Sequence, residues 1–175
     1  MRISQREEAY IRFLREMIRR TGHGAWTYRE GRNRHLYVVE FSRSVLAGHR
    51  LRTNRDRIEY IRGYFDAEGG LPTHPDRESY LYFAQKDYRD LEALRGMIVS
   101  LGIGCGRIHN PSVRADPEYW RFYVRRKSHR AFAVTICSWH PRKSELLWNV
   151  ALAREGGRGQ APACLRLYQR PFRFR

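Results

Sequence analysis

Two carboxylates, Asp66 and Glu68, stand just ahead of a glycine pair in the stretch Tyr60-Ile61-Arg62-Gly63-Tyr64-Phe65-Asp66-Ala67-Glu68-Gly69-Gly70-Leu71-Pro72. The pattern predicts a helix that starts near Asn54, with Asn54 as its N-cap and Asp56 in the first turn, and runs to Glu68. Gly69 and Gly70 end it, and Pro72 prevents its resumption. Both acids therefore fall in the last turn, where the helix dipole is already negative. A local electrostatic rule broken without visible gain marks a candidate functional site. The natural compensation is a divalent cation, and Mg²⁺ favours carboxylate, phosphate and water oxygens. Gly63 and Ala67 lie four apart on the same helix, hence on one face. Small residues there admit a second helix at close range.

The charge says what such a site would meet. The 175 residues hold 34 Lys+Arg against 18 Asp+Glu, a net charge of +16, with a pI near 10.6. A field of that size favours polyanions and weakens with salt. Nucleic acid is the first candidate partner and an anionic membrane surface the second. Arginine dominates, and it can grip phosphate or guanine through two parallel hydrogen bonds. With 42% hydrophobic residues the chain can build a core.

No run reaches the roughly 18 apolar residues of a membrane helix, so no membrane span is expected. Charges throughout Met1 to Arg20 leave no room for the apolar segment of a signal peptide. Cys105, Cys137 and Cys164 are widely spaced and outside any CxxC, which predicts neither a disulfide framework nor a zinc site and fits a reducing cytoplasm. Gly102-Ile103-Gly104-Cys105-Gly106 is glycine-rich but follows a helix and opens a strand, the reverse of a phosphate-binding loop.

The elements that must position the motif follow from periodicity. Helices are expected over Arg6 to Arg20, Ser42 to Ala47, Asp87 to Leu101, His129 to Ile136 and Arg142 to Ala153. Strands are expected over Ala25 to Tyr28, His35 to Phe41, Ser79 to Gln85, Gly104 to Asn110 and Glu118 to Arg125. Leu14-Arg15-Glu16-Met17-Ile18 matches Leu94-Arg95-Gly96-Met97-Ile98 at an offset of 80, and Gly22 and Gly24 match Gly102 and Gly104 in the same register. The chain thus reads as a partial repeat without a signature helix (1–53), a complete unit (54–155) and a basic tail (156–175).

The motif resembles the LAGLIDADG signature of homing endonucleases. Residues Ile61 to Gly69 fill its nine positions. Gly63, Asp66, Ala67 and Gly69 match identically, and Glu68 replaces the final Asp while keeping a carboxylate. The resemblance implies an α+β fold of the αββαββα type, whose saddle-shaped antiparallel sheet binds DNA. It implies that two signature helices pack together through Gly63 and Ala67, so that one copy of the motif calls for a homodimer and a near-palindromic target. Glu68 is implied as the ligand of Mg²⁺ or Mn²⁺ at the scissile phosphate, with Asp66 a secondary metal ligand better suited to a structural task. Gln85 is implied to organise water, and Lys143 to polarise the water or the phosphate. The DNA face falls on alternating strand positions: Tyr80 and Tyr82; Arg107 and His109; Arg121, Tyr123 and Arg125; and in the partial repeat Thr27, Arg29, Arg32 and Arg34.

The function expected is site-specific, metal-dependent cleavage of double-stranded DNA by a freestanding or intron-encoded enzyme of a prokaryotic or organellar host. Starting at Met1 and lacking a C-terminal His-Asn junction, the chain is not read as an intein. The competing expectation is a catalytically inactive relative that binds nucleic acid as an intron RNA maturase or a transcription regulator. A generic basic protein with an accidental motif predicts neither a helix-mediated dimer nor a sequence preference.

Overall fold

A computed structural model describes residues 1–31, 34–71 and 80–152. Arg32, Ser79, Ala153 and the basic tail lie outside them. The chain divides into two compact units, Met1–Arg50 and Leu51–Arg175.

The first unit opens with strand β1 (Arg2–Gln5), followed by helix α1 (Glu8–Arg20), strands β2 (Ala25–Glu30) and β3 (Leu36–Phe41) and a 3₁₀ turn at Arg43–Leu46. The antiparallel sheet has the order β1-β3-β2. Ile11 and Ile18 of α1 bury against Val39 and Phe41 of β3. Strand β1 is absent from the sequence expectation. Four residues ahead of a strong helix pattern carry too little periodicity to stand out, and pairing with β3 is what makes them a strand.

In the second unit come α2 (Asn54–Glu68), the short strand β4 (Gly69–Gly70), β5 (Tyr82–Gln85), α3 (Tyr88–Ser100), β6 (Trp120–Tyr123), α4 (His129–Thr135) and α5 (Pro141–Leu152). The sheet order is β4-β5-β6, again antiparallel. Thr53, not Asn54, caps α2. Its hydroxyl accepts from the Asp56 amide at 3.1 Å, while the Asp56 carboxylate accepts from the Thr53 amide at 2.8 Å. This reciprocal box satisfies two donors at once, where Asn54 alone would satisfy one.

The core of this unit is aromatic. Phe65 of α2 meets Phe83 of β5 edge-on at 5.6 Å and Phe132 of α4 at 5.2 Å, and Phe83 stacks on Phe122 of β6 at 5.2 Å. All four rings are fully buried. Each such contact adds about 0.5–1.5 kcal/mol beyond the area it buries. These rings fix the end of α2 against the sheet, which is where the two acids emerge.

The repeat is visible in the architecture. β1 and β5, and α1 and α3, occupy equivalent places at the offset of 80 residues. Gly22 and Gly102, which follow those helices, share a left-handed backbone at φ +82 and +79. The hairpins differ. β2 pairs with β3 in unbroken register from Ala25↔Phe41 to Glu30↔Leu36. Its counterpart forms two isolated bridges with residues 121–124, at Cys105↔Val124 and His109↔Arg121. Those two bridges leave one extra residue on the 105–109 side, a bulge. This is why the expected strand Gly104 to Asn110 is not continuous.

Cys137 is disulfide-bonded, against the expectation from cysteine spacing. Cys105 is a buried free thiol whose pKa burial pushes up to about 11. We expect Cys105 to resist iodoacetamide at pH 8 in the native protein and to react on unfolding, since the thiolate is the nucleophile. Labelling of Cys105 at the rate of a free peptide thiol would show its burial to be wrong.

Candidate active site and nucleic-acid face

Helix α2 presents three kinds of face. Ile61 and Phe65 enter the core, and Tyr60, Gly63 and Ala67 are exposed. A Cβ added at Gly63 would meet nothing within 4 Å. The third face, Glu59, Arg62 and Asp66, holds the segment 136–140. Arg62 Nε donates to the Ile136 carbonyl and its Nη1 to Glu59 at 2.7 Å. The guanidinium lies 4.7 Å from the centroid of Trp139. Asp66 is 2% exposed; it accepts from Ser138 Oγ and, at 3.0 Å, from the Trp139 amide. Asp66 is therefore placed as a buried structural acceptor, where the sequence expectation had it as a secondary metal ligand. Its carboxylate is spent on satisfying the turn before α5, and burial keeps solvent ions away.

Lys143 also departs from expectation. Its Nζ donates to the carbonyls of Phe65 (2.9 Å), Asp66 (2.9 Å) and Gly69 (2.7 Å). An ammonium has three protons, and these three carbonyls take them. Lys143 is thus the cation that caps the C-terminal end of α2 and offsets its dipole. Burial lowers its pKa, with Asp66 and Glu68 opposing. The expected role in polarising water or phosphate finds no proton free in this arrangement.

Glu68 is left exposed. Among the described residues no hydrogen bond or ion pair engages its carboxylate. It lines an open cleft of about 470 Å³ with Ala67, Gly69, Tyr82, Ala84, Gln85, Lys86 and Tyr119. Gly69 is required here, because a Cβ would lie 2.0 Å from the Phe65 ring. The cleft places Gln85 in the same lining as Glu68. Gln85 Oε1 accepts from the Lys86 amide at 2.7 Å, and the Tyr64 hydroxyl beside it has its pKa raised by burial.

Among the described residues no cluster of three His, Cys, Asp or Glu side chains exists to cage a metal. A single exposed carboxylate suits Mg²⁺ or Mn²⁺, ions that keep several waters and complete their shell with phosphate oxygens. It does not suit a structural zinc.

The strand face opposite the core carries the rest. In β5 and β6, Phe83 and Phe122 point inward, so their neighbours Tyr82, Tyr123 and Arg121 point outward. Tyr80 packs edge-on to Tyr123 at 6.4 Å, and His109 stacks on Tyr123 at 5.7 Å. Arg107 is exposed two residues before His109, and Ile108 between them packs on the core. Arg125 Nε reaches back to the Cys105 carbonyl at 3.1 Å. The predicted set Tyr80, Tyr82, Arg107, His109, Arg121, Tyr123 and Arg125 is therefore brought to one side of the second unit.

The first unit corrects the prediction. Thr27 pairs with Val39, which packs on α1, and Arg29 pairs with Tyr37, which also packs there. Arg29 thus leaves the sheet on the helix side, beside His35 at 3.2 Å, and not on the open face. The unbulged hairpin holds the phase of two throughout, so analogy with Arg107 and His109 fails. Trp26 and Tyr28 face outward instead, 56% and 40% exposed and both bonded to Glu40. Arg34 lies ahead of β3 in a cleft with Arg6, His35 and Leu36; Arg32 lies outside the described residues. Gln5 ends β1 as Gln85 ends β5. The offset of 80 already pairs these two glutamines and was the signal available for Gln5.

The arrangement defines an α+β protein with antiparallel sheets and one acid-bearing helix end at a basic, aromatic strand face. Residues 55–137 match the family model of the LAGLIDADG-like domain. Over those residues the chain is similar to the LAGLIDADG-like domain. Among solved structures it is similar to the homing endonuclease I-DmoI in complex with DNA and Mn (TM-score 0.59, 19% identity, 78% of this chain and 79% of that one). Mesophilic variants of I-DmoI match with TM-score 0.62 and 20% identity over 85% and 82%. Full-length DUF199/WhiA from Thermatoga maritima matches with TM-score 0.61 and 17% identity over 96% of this chain and 57% of that one. At such identities the likeness is one of fold. No curated protein matches the chain.

Proposed function

We propose that the protein is a site-specific DNA endonuclease of the homing type. The observation that carries this reading is Glu68: a carboxylate at the negative end of α2, exposed in a cleft and engaged by no other described residue, while its neighbour Asp66 is buried and bonded. Glu68 would hold Mg²⁺ or Mn²⁺ with phosphate and water oxygens. When bound, the ion supplies Lewis acidity and an activated water for phosphodiester hydrolysis. Gln85, at the cleft wall, orients water, and Lys143 keeps the end of α2 rigid so that Glu68 is presented in one place. The solved complexes of I-DmoI with DNA in the presence of Mn, Mg or Ca support a divalent metal.

The deciding experiment is cleavage of a randomised double-stranded library with Mg²⁺, Mn²⁺ or EDTA. Cut ends enriched at one long, near-palindromic site in metal alone support the endonuclease. Salt-sensitive binding without cutting in either metal favours the second reading, a catalytically inactive nucleic-acid-binding protein acting on DNA or RNA. That reading has a specific observation behind it, since Lys143 is committed to helix carbonyls.

A near-palindromic target calls for two copies. The exposed stripe Tyr60, Gly63 and Ala67 is the surface on which a second α2 would pack. Because a Cβ at Gly63 meets nothing within 4 Å and the position is exposed, Gly63→Leu should fold normally and block only that approach. Light scattering should give twice the 20.9 kDa chain mass for wild type and the single mass for the variant. Equal masses for the two would remove this stripe as the dimer surface.

A further inference from the structure

Arg121 on β6 is held in a cage of phenol rings. Its guanidinium carbon lies 4.3 Å from the Tyr82 centroid, 5.2 Å from Tyr119 and 5.9 Å from Tyr123. Nη1 donates to the Tyr123 hydroxyl at 3.2 Å and Nη2 to the Tyr119 hydroxyl at 2.8 Å. Nε is buried and has no partner. Among the described residues no carboxylate pairs with this cation. That is a costly arrangement for a group that cannot shed its proton, because a half-buried charge normally carries a counter-ion.

The cage sits at the Glu68 cleft. Tyr82 and Tyr119 line that cleft, and so does Ala84, the register partner of Arg121. Two of the five guanidinium donors are occupied by hydroxyls, which fixes the plane and leaves donors for a ligand. A phosphodiester supplies both what the site lacks and what arginine prefers, a negative charge and a pair of oxygens. Guanine offers two acceptors but no charge.

We infer that Arg121, caged by Tyr82, Tyr119 and Tyr123, binds a phosphodiester of the nucleic acid that enters the Glu68 cleft. The inference rests on the proposed nucleic-acid function. Tyr119 and Tyr123 are positioning residues, because they act through the guanidinium.

The test is duplex binding by fluorescence anisotropy over a range of KCl concentrations. It uses the full chain, the selected target, its single-base variants and a scrambled duplex. Arg121→Gln should weaken binding to all duplexes alike and reduce the slope of log K against log salt by about 0.9, one phosphate's share. Arg121→Lys, which keeps the charge but loses the fork, should keep the slope and weaken all duplexes alike. Tyr119→Phe with Tyr123→Phe should do the same, and melting curves report whether each variant is folded. An unchanged slope in folded Arg121→Gln overturns the inference. So does a loss confined to one base pair, the mark of a guanine reader. Wild type that binds no duplex at any salt would instead sink the nucleic-acid reading itself.

Discussion

Glu68→Gln should lower Mg²⁺-dependent cleavage by at least about 10³-fold while leaving DNA binding and the melting temperature unchanged. Each decade of rate corresponds to about 1.4 kcal/mol, and a catalytic metal supplies several kcal/mol of charge stabilisation. Without its anionic anchor the ion loses its place at the phosphate. Binding should hold because Glu68 is engaged by no described residue whose geometry would suffer, and removing a negative charge from a DNA-facing cleft adds no repulsion. Single-turnover cleavage, anisotropy and thermal melting on the same preparation separate the effects. Cleavage kept within tenfold would show that Glu68 is not the metal ligand. A fall in melting temperature with the activity would assign it a structural part.

Asp66→Ala should do the opposite and act on stability. The change leaves the part-buried Trp139 amide without an acceptor and leaves the Ser138 hydroxyl only its longer bond to the His140 carbonyl, at 3.3 Å. At about 1–3 kcal/mol for an orphaned donor, the loss is about 1–3 kcal/mol. For a chain of this size each kcal/mol moves the midpoint by about 2–4 °C. Ser138→Ala should also destabilise, since the hydroxyl donates to Asp66 and accepts from the buried His140 amide at 3.1 Å. The double variant should show coupling, because the two residues share one network. Denaturant titration measures all three. A loss in Asp66→Ala of under about 0.5 kcal/mol, the size of an ordinary surface change, would contradict the structural role.

These two acids show where the sequence speaks and where it falls silent. Their position at a helix end was legible, because glycine and proline punctuate the chain there and the dipole argument is local. Which one faces solvent was not legible from periodicity. It depends on the turn 136–140, seventy residues onward, and on Ser138 and Trp139, whose types give no hint of a carboxylate partner. Lys143 was singled out by the family resemblance, and it lies in the first turn of α5. Its actual target, three carbonyls at the end of α2, is set by tertiary packing alone. The strands of the second unit were readable because Leu81 and Phe83 alternate with Tyr80 and Tyr82. β1 was not, because a short edge strand becomes one only when its neighbour pairs with it.

The bulge at 105–109 has a consequence for how the two units can evolve. A duplicated sheet with one register would present the same positions twice. One extra residue in one copy rotates its outward set by half a turn of the pleat, so Arg107 and His109 look out where Thr27 and Arg29 look in. On the proposed nucleic-acid reading, recognition would be encoded by strand phase as much as by residue identity. A single insertion between Ala25 and Thr27 would exchange the tryptophan-tyrosine surface of the first unit for a threonine-arginine one without altering any existing side chain.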